Sequence, residues 1–284
     1  MEIGLIFALF SAITFSIGTI LVRRGVSTAG ESFTAVFISL SIGAVMVTLA
    51  MLYQGDWDKV MAFSWKGLAL LAGAGTIHFL VGRFFNYASI RIIGANRSTA
   101  LSRTNTLYAI IFGVVLLKES ITLPVLLGII GILTGVALVT LEKREPEVNP
   151  VAGSRASVLG VVSGLAAGLC WGISGVMIKI AMGEVSAPLA GTFISYIAAT
   201  TLLAITLLGK QQRRQLTQLR RISIIPLFFA GILTAIAHLL RFAALDSSPV
   251  TVVQPLISTN VVFVLLFSFL ANRRLEVFTW RVIG

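Results

Sequence analysis

Acidic charge, cysteine and histidine are all scarce in this chain of 284 residues: Asp and Glu number 11, His 2 and Cys 1. With Cys170 alone, no intramolecular disulfide can form, and no Cys/His spacing suggests a metal site or a metal cofactor. Beside Trp171 in an apolar run, Cys170 reads as a small buried hydrophobe rather than a reactive thiol. The carboxylates avoid the apolar runs. Asp56, Asp58, Glu142, Glu145 and Glu147 fall between them, and Glu119 and Asp246 stand at their edges. The usual intramembrane carrier of a proton or sodium ion is therefore missing.

What is abundant is apolar length. Hydrophobic residues make up 57% of the chain and charged residues 12%, about half the roughly 25% of soluble domains. Apolar spans fall near 4–22, 33–53, 67–87, 95–117, 122–141, 158–180, 188–208, 222–243 and 250–271, with a last one opening near 277. Most are long enough to cross a hydrocarbon core of about 30 Å as a helix. Barrel strands alternate apolar and polar residues, and stretches such as Val261-Val262-Phe263-Val264-Leu265-Leu266-Phe267 do not. The expected fold is an all-α integral membrane bundle of ten helices.

The net charge of +11 does not indicate a nucleic-acid partner, because the basic residues sit in short loops beside spans. Lys210, Arg213, Arg214, Arg220 and Arg221 share one such loop, and Lys143, Arg144 and Arg155 another. Loops after odd-numbered spans carry most of this charge. Read literally, the positive-inside rule places the N-terminus outside.

The chain also repeats itself. Shifted by about 156 positions, Gly4, Ala8, Ala12 and Ser16 fall on Gly160, Gly164, Gly168 and Gly172, Arg23 on Lys179, and Phe37-Ile38-Ser39 on Phe193-Ile194-Ser195. Each copy opens a block of five spans, and an odd number makes the second copy enter the membrane from the opposite side. Two inverted halves around a midplane site is a common plan of secondary transporters. The expected division is a first repeat over 1–141, a charged linker over 142–157 and a second repeat over 158–284. The second repeat is expected to be incomplete, since Gly284 aligns with Gly128 inside the fifth span of the first. The first apolar run is of span length and is matched within the second repeat, so it is expected to belong to the fold and no signal peptide is required.

Gly160, Gly164, Gly168 and Gly172 form a nearly side-chain-free stripe that lets helix backbones approach. Polar residues inside spans carry the candidate substrate site: His78, Arg83, Asn86 and Tyr87 in span three; Ser102, Arg103 and Asn105 in span four; His238 and Arg241 in span eight; Gln254 and Ser258 in span nine. The polar arc of span four is too wide for lipid and must face protein or a wet cavity. Arg103 lies about two turns into its span, where a bound anion or an internal partner would satisfy it. Arg83, Arg97 and Arg241 lie near span ends, where reaching out to headgroups competes with an inward role. The histidines are the candidates to carry a coupling proton. Pro255 removes a backbone donor in span nine and marks a kink or hinge there.

Two five-span repeats, each with a small-residue first helix ending in Arg or Lys, resemble the EamA-type drug/metabolite transporter superfamily. The run Leu117-Lys118-Glu119-Ser120-Ile121-Thr122, followed by Gly128-Ile129-Ile130-Gly131, is similar to its repeat ending. Phe242-Ala243-Ala244-Leu245 through Ser248-Pro249 to Gln254-Pro255 resembles its second repeat. Arg273 or Arg274 stands where that ending usually has Glu, and members are generally described with the N-terminus inside. The resemblance implies a multi-pass plasma-membrane carrier of a small organic solute, with no cofactor, working by alternating access. Arginines without a deep carboxylate add a preference for anionic or zwitterionic solutes such as amino acids. The other classes weighed are a membrane scaffold or lipid-handling protein and an intramembrane enzyme. The latter would need a nucleophile, an acid/base pair or a metal cage.

Overall fold

The computed structural model describes residues 2–29, 32–93, 95–121, 123, 125–131, 134, 154–206, 209 and 221–271. Within these, all regular structure is helical. The first half contains α1 (Glu2–Ala29), α2 (Ser32–Gln54), α3 (Trp57–Ala62), α4 (Trp65–Thr76), a π-helical turn (Ile77–Val81), α5 (Gly82–Ile93), α6 (Ala95–Ser102) and α7 (Asn105–Leu117). Residues 125–131 are helical as well and are termed α8. The second half contains α9 (Ser154–Met182), α10 (Pro188–Thr206), α11 (Arg221–Ser247), α12 (Val250–Ser258) and α13 (Asn260–Ala271). Seven helical stretches among the described residues are long and apolar enough to cross a membrane. An eighth apolar stretch, Val250–Val264, is shorter. The linker to residue 153, the basic loop over 210–220, Gly135, Arg273 and Arg274 and the tenth span lie outside the described residues.

Three spans are interrupted, of which the ninth, with Pro255, was expected to kink. The third passes through the π-turn, where the Gly82 N–H reaches the Ile77 carbonyl. This wider turn leaves the His78 carbonyl to the indole of Trp171, whose Nε1–H donates to it at 3.0 Å. Gly82 leaves room for that indole: a Cβ there would come within 2.6 Å of Trp171 Nε1. The fourth and ninth spans break at matching threonines. Thr104 N–H donates to the Leu101 carbonyl and Thr259 N–H to the Leu256 carbonyl, three residues back in each case, at 3.1 and 3.2 Å. Each hydroxyl donates to the same carbonyl, at 2.6 and 2.7 Å. The ninth span thus breaks at Thr259, one turn beyond Pro255, and the first half makes the same break with no proline.

The two halves interlock through their first helices. Ala8, Ala12 and Ser16 of α1 are fully buried, and α1 packs most extensively on α11. The Ser11 hydroxyl donates to the Ala237 carbonyl and the Ser16 hydroxyl to the Asn260 carbonyl, each at 2.8 Å. Conversely, the glycine stripe of α9 lies on the third and fourth spans of the first half. Gly160 meets Ile92 and Ile93, Gly164 meets Leu101 and Ser89, Gly168 meets Thr104, and Gly172 meets Asn105 and Tyr108. Without side chains at these positions, the α9 backbone reaches the fourth-span break directly.

Candidate functional site

α4 and α10 approach closely enough at Gly75 that a Cβ there would land on the Ser195 backbone. The Ser195 hydroxyl ties the pair by donating to the Leu71 carbonyl at 2.7 Å. Just beyond, the π-turn presents His78, and α9 and α11 bring Ser174, His238 and Arg241 to meet it. His78 Nδ1 lies 2.9 Å from Ser174 Oγ. Arg241 places Nη1 3.4 Å from His78 Nδ1 and Nη2 3.4 Å from Ser174 Oγ. The His78 and His238 rings meet edge to face with centroids 5.0 Å apart. Phe15, Phe79 and Tyr196 enclose His238. Gln254 of α12 enters from the side: a Cβ on Gly175 would come within 3.1 Å of Arg241 Nη2 and 3.6 Å of Gln254 Oε1.

Of the two roles open to Arg241 near its span end, the structure gives it the inward one. It is 3% exposed and turned into the bundle, and it makes no ion pair among the described residues. A charge at this depth costs about 2.5–3.5 kcal/mol by the lower estimates, so an arginine held here without a carboxylate demands an acceptor. Arg83 is half-buried with its guanidinium 5.7 Å from the Phe79 ring centroid, whereas Arg97 is exposed.

A second polar group forms where the two broken spans touch. Arg103 Nη1 donates to Asn260 Oδ1 at 2.9 Å, and Thr106 Oγ1 lies 2.6 Å from Ser258 Oγ. Arg103 Nε is buried and makes no hydrogen bond among the described residues. Asn105 Oδ1 accepts from the Thr106 hydroxyl at 3.3 Å. Discontinuous helices whose ends meet inside a bundle are a recurrent way to build a solute site.

The sequence candidates therefore separate. His78, His238, Arg241 and Gln254 gather in the first group, and Arg103, Asn105 and Ser258 in the second. Arg83 lies over the Phe79 ring at the edge of the first group, and the other three have local tasks. Asn86 braces the α5–α6 corner by accepting from Ser98 at 3.3 Å. Ser102 donates to the Thr99 carbonyl of its own helix, and Tyr87 packs against the apolar core. Ser174, Tyr196, Phe79 and Asn260 were not among the candidates. Ser174 follows the glycine stripe by two residues, so its signal lay in a segment read only as packing.

A cleft of about 470 Å³ opens between the ends of α7, α9 and α11, lined among others by Leu117, Glu119, Lys179, Gly183 and Pro249. Lys118, in the left-handed conformation with φ 58°, ends α7. Glu119 then reaches across to α12, its carboxylate oxygens accepting from Val250 N–H and Thr251 N–H at 2.8 Å each. This places a negative charge on the positive end of the helix dipole. Lys179 Nζ donates to the Asp246 carbonyl at the same cleft, at 3.2 Å.

Among curated proteins none matches this sequence. A solved structure described in the words "Crystal structure of protein" superimposes with a TM-score of 0.76 at 15% identity, covering 99% of this chain and 90% of that one. The likeness concerns the fold. The profile of the EamA-like transporter family matches residues 2–141 and 158–284, one match in each half of the chain. The chain belongs to the EamA-like transporter family, whose members are multi-pass membrane transporters of small molecules.

Proposed function

We propose that this protein carries a small anionic or zwitterionic metabolite, such as an amino acid, across the plasma membrane by alternating access. It does so between two inverted five-span halves, 1–141 and 158–284, with no cofactor and no nucleic-acid partner. The observation that carries this reading is Arg241, buried among His78, Ser174 and Gln254 with no carboxylate against it among the described residues. A solute carboxylate would supply what the guanidinium lacks, and the hydroxyl and amide faces of the broken spans would read the remainder. A proton on His78 would add positive charge beside Arg241, and an arriving anion offsets it. Proton and anion are then taken up together. A carrier rather than an enzyme suits this set, because arginine, histidine, hydroxyl and amide groups here lack a paired carboxylate or an activated nucleophile.

The test is uptake by proteoliposomes of radiolabelled glutamate, alanine and a neutral sugar, for the wild type, Arg241→Gln and Arg103→Gln. Anion uptake falls far more than neutral uptake in both variants. Equal loss for all three solutes would reduce these arginines to structural roles. A His78→Ala, His238→Ala double variant loses pH dependence of uptake, and full retention would sink the histidine coupling.

A further inference from the structure

We infer that, between solutes, the centre of the bundle binds one small inorganic anion of halide size against Arg241, the residue the proposed function gives to the solute. A cavity of about 10 Å³ lies between α4, the π-turn, α9, α10 and α11, with His78, Phe79, Ser195, His238, Arg241 and Phe242 on its wall. That volume accommodates roughly one water-sized particle. It has no room for an amino acid.

The wall presents the Arg241 guanidinium and two imidazoles, and the acceptor nearby, Gln254 Oε1, makes no hydrogen bond among the described residues. An arginine has five N–H groups. Among the described residues those of Arg241 find two neighbours, His78 Nδ1 and Ser174 Oγ, both at 3.4 Å. Proton placement weakens even these. Ser174 Oγ donates to the Trp171 carbonyl at 2.8 Å. The 2.9 Å contact between Ser174 Oγ and His78 Nδ1 then needs the proton on the imidazole nitrogen. His78 Nδ1 is in that arrangement a donor and cannot accept from Arg241. Ser195 has committed its proton to the Leu71 carbonyl.

A second, independent group points the same way. His238 is 1% exposed, and its Nδ1 makes no hydrogen bond among the described residues. An unsatisfied polar atom at such depth is costly unless something binds it. Phe79 meets His238 edge to face at 4.7 Å between centroids, so the wall around the imidazole is otherwise aromatic. Ring edges are the positive part of the aromatic quadrupole. With the His238 proton on Nδ1, a buried guanidinium and an imidazole N–H within an aromatic wall favour a spherical monovalent anion over water, which must also donate protons.

The carrier therefore holds chloride as the countercharge of Arg241 whenever its cavity is closed without solute. The experiment is thermal unfolding of the detergent-purified protein at constant ionic strength, with chloride or bromide replacing gluconate, which is too large for the cavity. The expected result is a saturable rise of a few degrees in Tm with either halide, abolished in Arg241→Gln. Identical Tm in chloride and gluconate, or a halide response retained by Arg241→Gln, overturns the inference. Should that variant fail to fold, crystals grown in bromide decide. An anomalous peak beside Arg241 supports the site, and density that refines there as water refutes it. These readouts involve no transport, so loss of the halide signal with intact Arg241-dependent uptake sinks this inference alone. The converse result sinks only the solute reading.

Discussion

Gly75→Ala tests the closeness of the α4–α10 contact on which the central site is built. The added Cβ would fall on the Ser195 carbonyl, with the Ser195 C and Cα atoms 2.7 and 2.8 Å away. Carbon atoms rest at about 3.5–4.0 Å, so the helices must part by roughly 0.7–1 Å. Backbone cannot rotate aside as a side-chain tip can, and overpacking of this kind costs about 1–3 kcal/mol. The Ser195–Leu71 hydrogen bond lengthens with the separation, at about 0.6 kcal/mol for a bond between membrane helices. Alanine returns about 0.8–1.0 kcal/mol of helix propensity. The balance is a loss of roughly 1–3 kcal/mol, corresponding to a fall of about 2–10 °C in Tm. Thermal unfolding in detergent measures this directly, with Gly131→Ala as the control, since a Cβ there meets nothing within 4 Å. An unchanged or raised Tm for Gly75→Ala would show that α4 and α10 are not in backbone contact and would refute the reasoning.

Glu119→Ala removes the acceptor for Val250 N–H and Thr251 N–H and should cost about 1–2 kcal/mol, as loss of a strong N-cap does. Thermal unfolding checks it, and Glu119→Gln should fall between the two. Asn260→Leu strips Arg103 of its one side-chain partner among the described residues and should lower stability by about 1–3 kcal/mol, most of it recovered in the Arg103→Met, Asn260→Leu double variant. A double variant as unstable as the single one would show that the pair does not act together. Trp171→Phe keeps the packing but frees the His78 carbonyl, so it should reduce uptake more than it reduces Tm. Parallel losses would deny the π-turn a part in positioning His78.

Much of the bundle was legible in the sequence because span length and hydropathy obey a constraint the bilayer imposes on every segment alike. Spans read at 188–208 and 95–117 correspond to apolar stretches Pro188–Thr206 and Arg97–Leu117. The stripe from Gly160 to Gly172 was legible for a similar reason, since a run of missing side chains has few uses other than contact. The interruptions were harder to see. A π-turn has no composition of its own, and neither Thr104 nor Thr259 differs from a threonine bonded to its own helix. Pro255 drew notice and its symmetry mate carries no such flag, so a break shared by both halves looked like a feature of one. For Arg241 the sequence left an inward and an outward role open, because distance to a span end along the chain says little about the direction in which a side chain points.

The interlocking of first helices bears on how such a chain came to be. Each repeat covers its neighbour's third and fourth spans with its own opening helix, which is the geometry of two identical subunits exchanging an arm. A single ancestral unit could assemble with a second copy through the same contacts, and a linker would then be enough to make the pair permanent. Joined copies no longer had to remain alike. One could keep Arg103 where the other has Ser258, and place Arg241 opposite no counterpart. Lopsidedness at the centre, inside a frame that stays symmetrical, is open to a fused pair and closed to a homodimer.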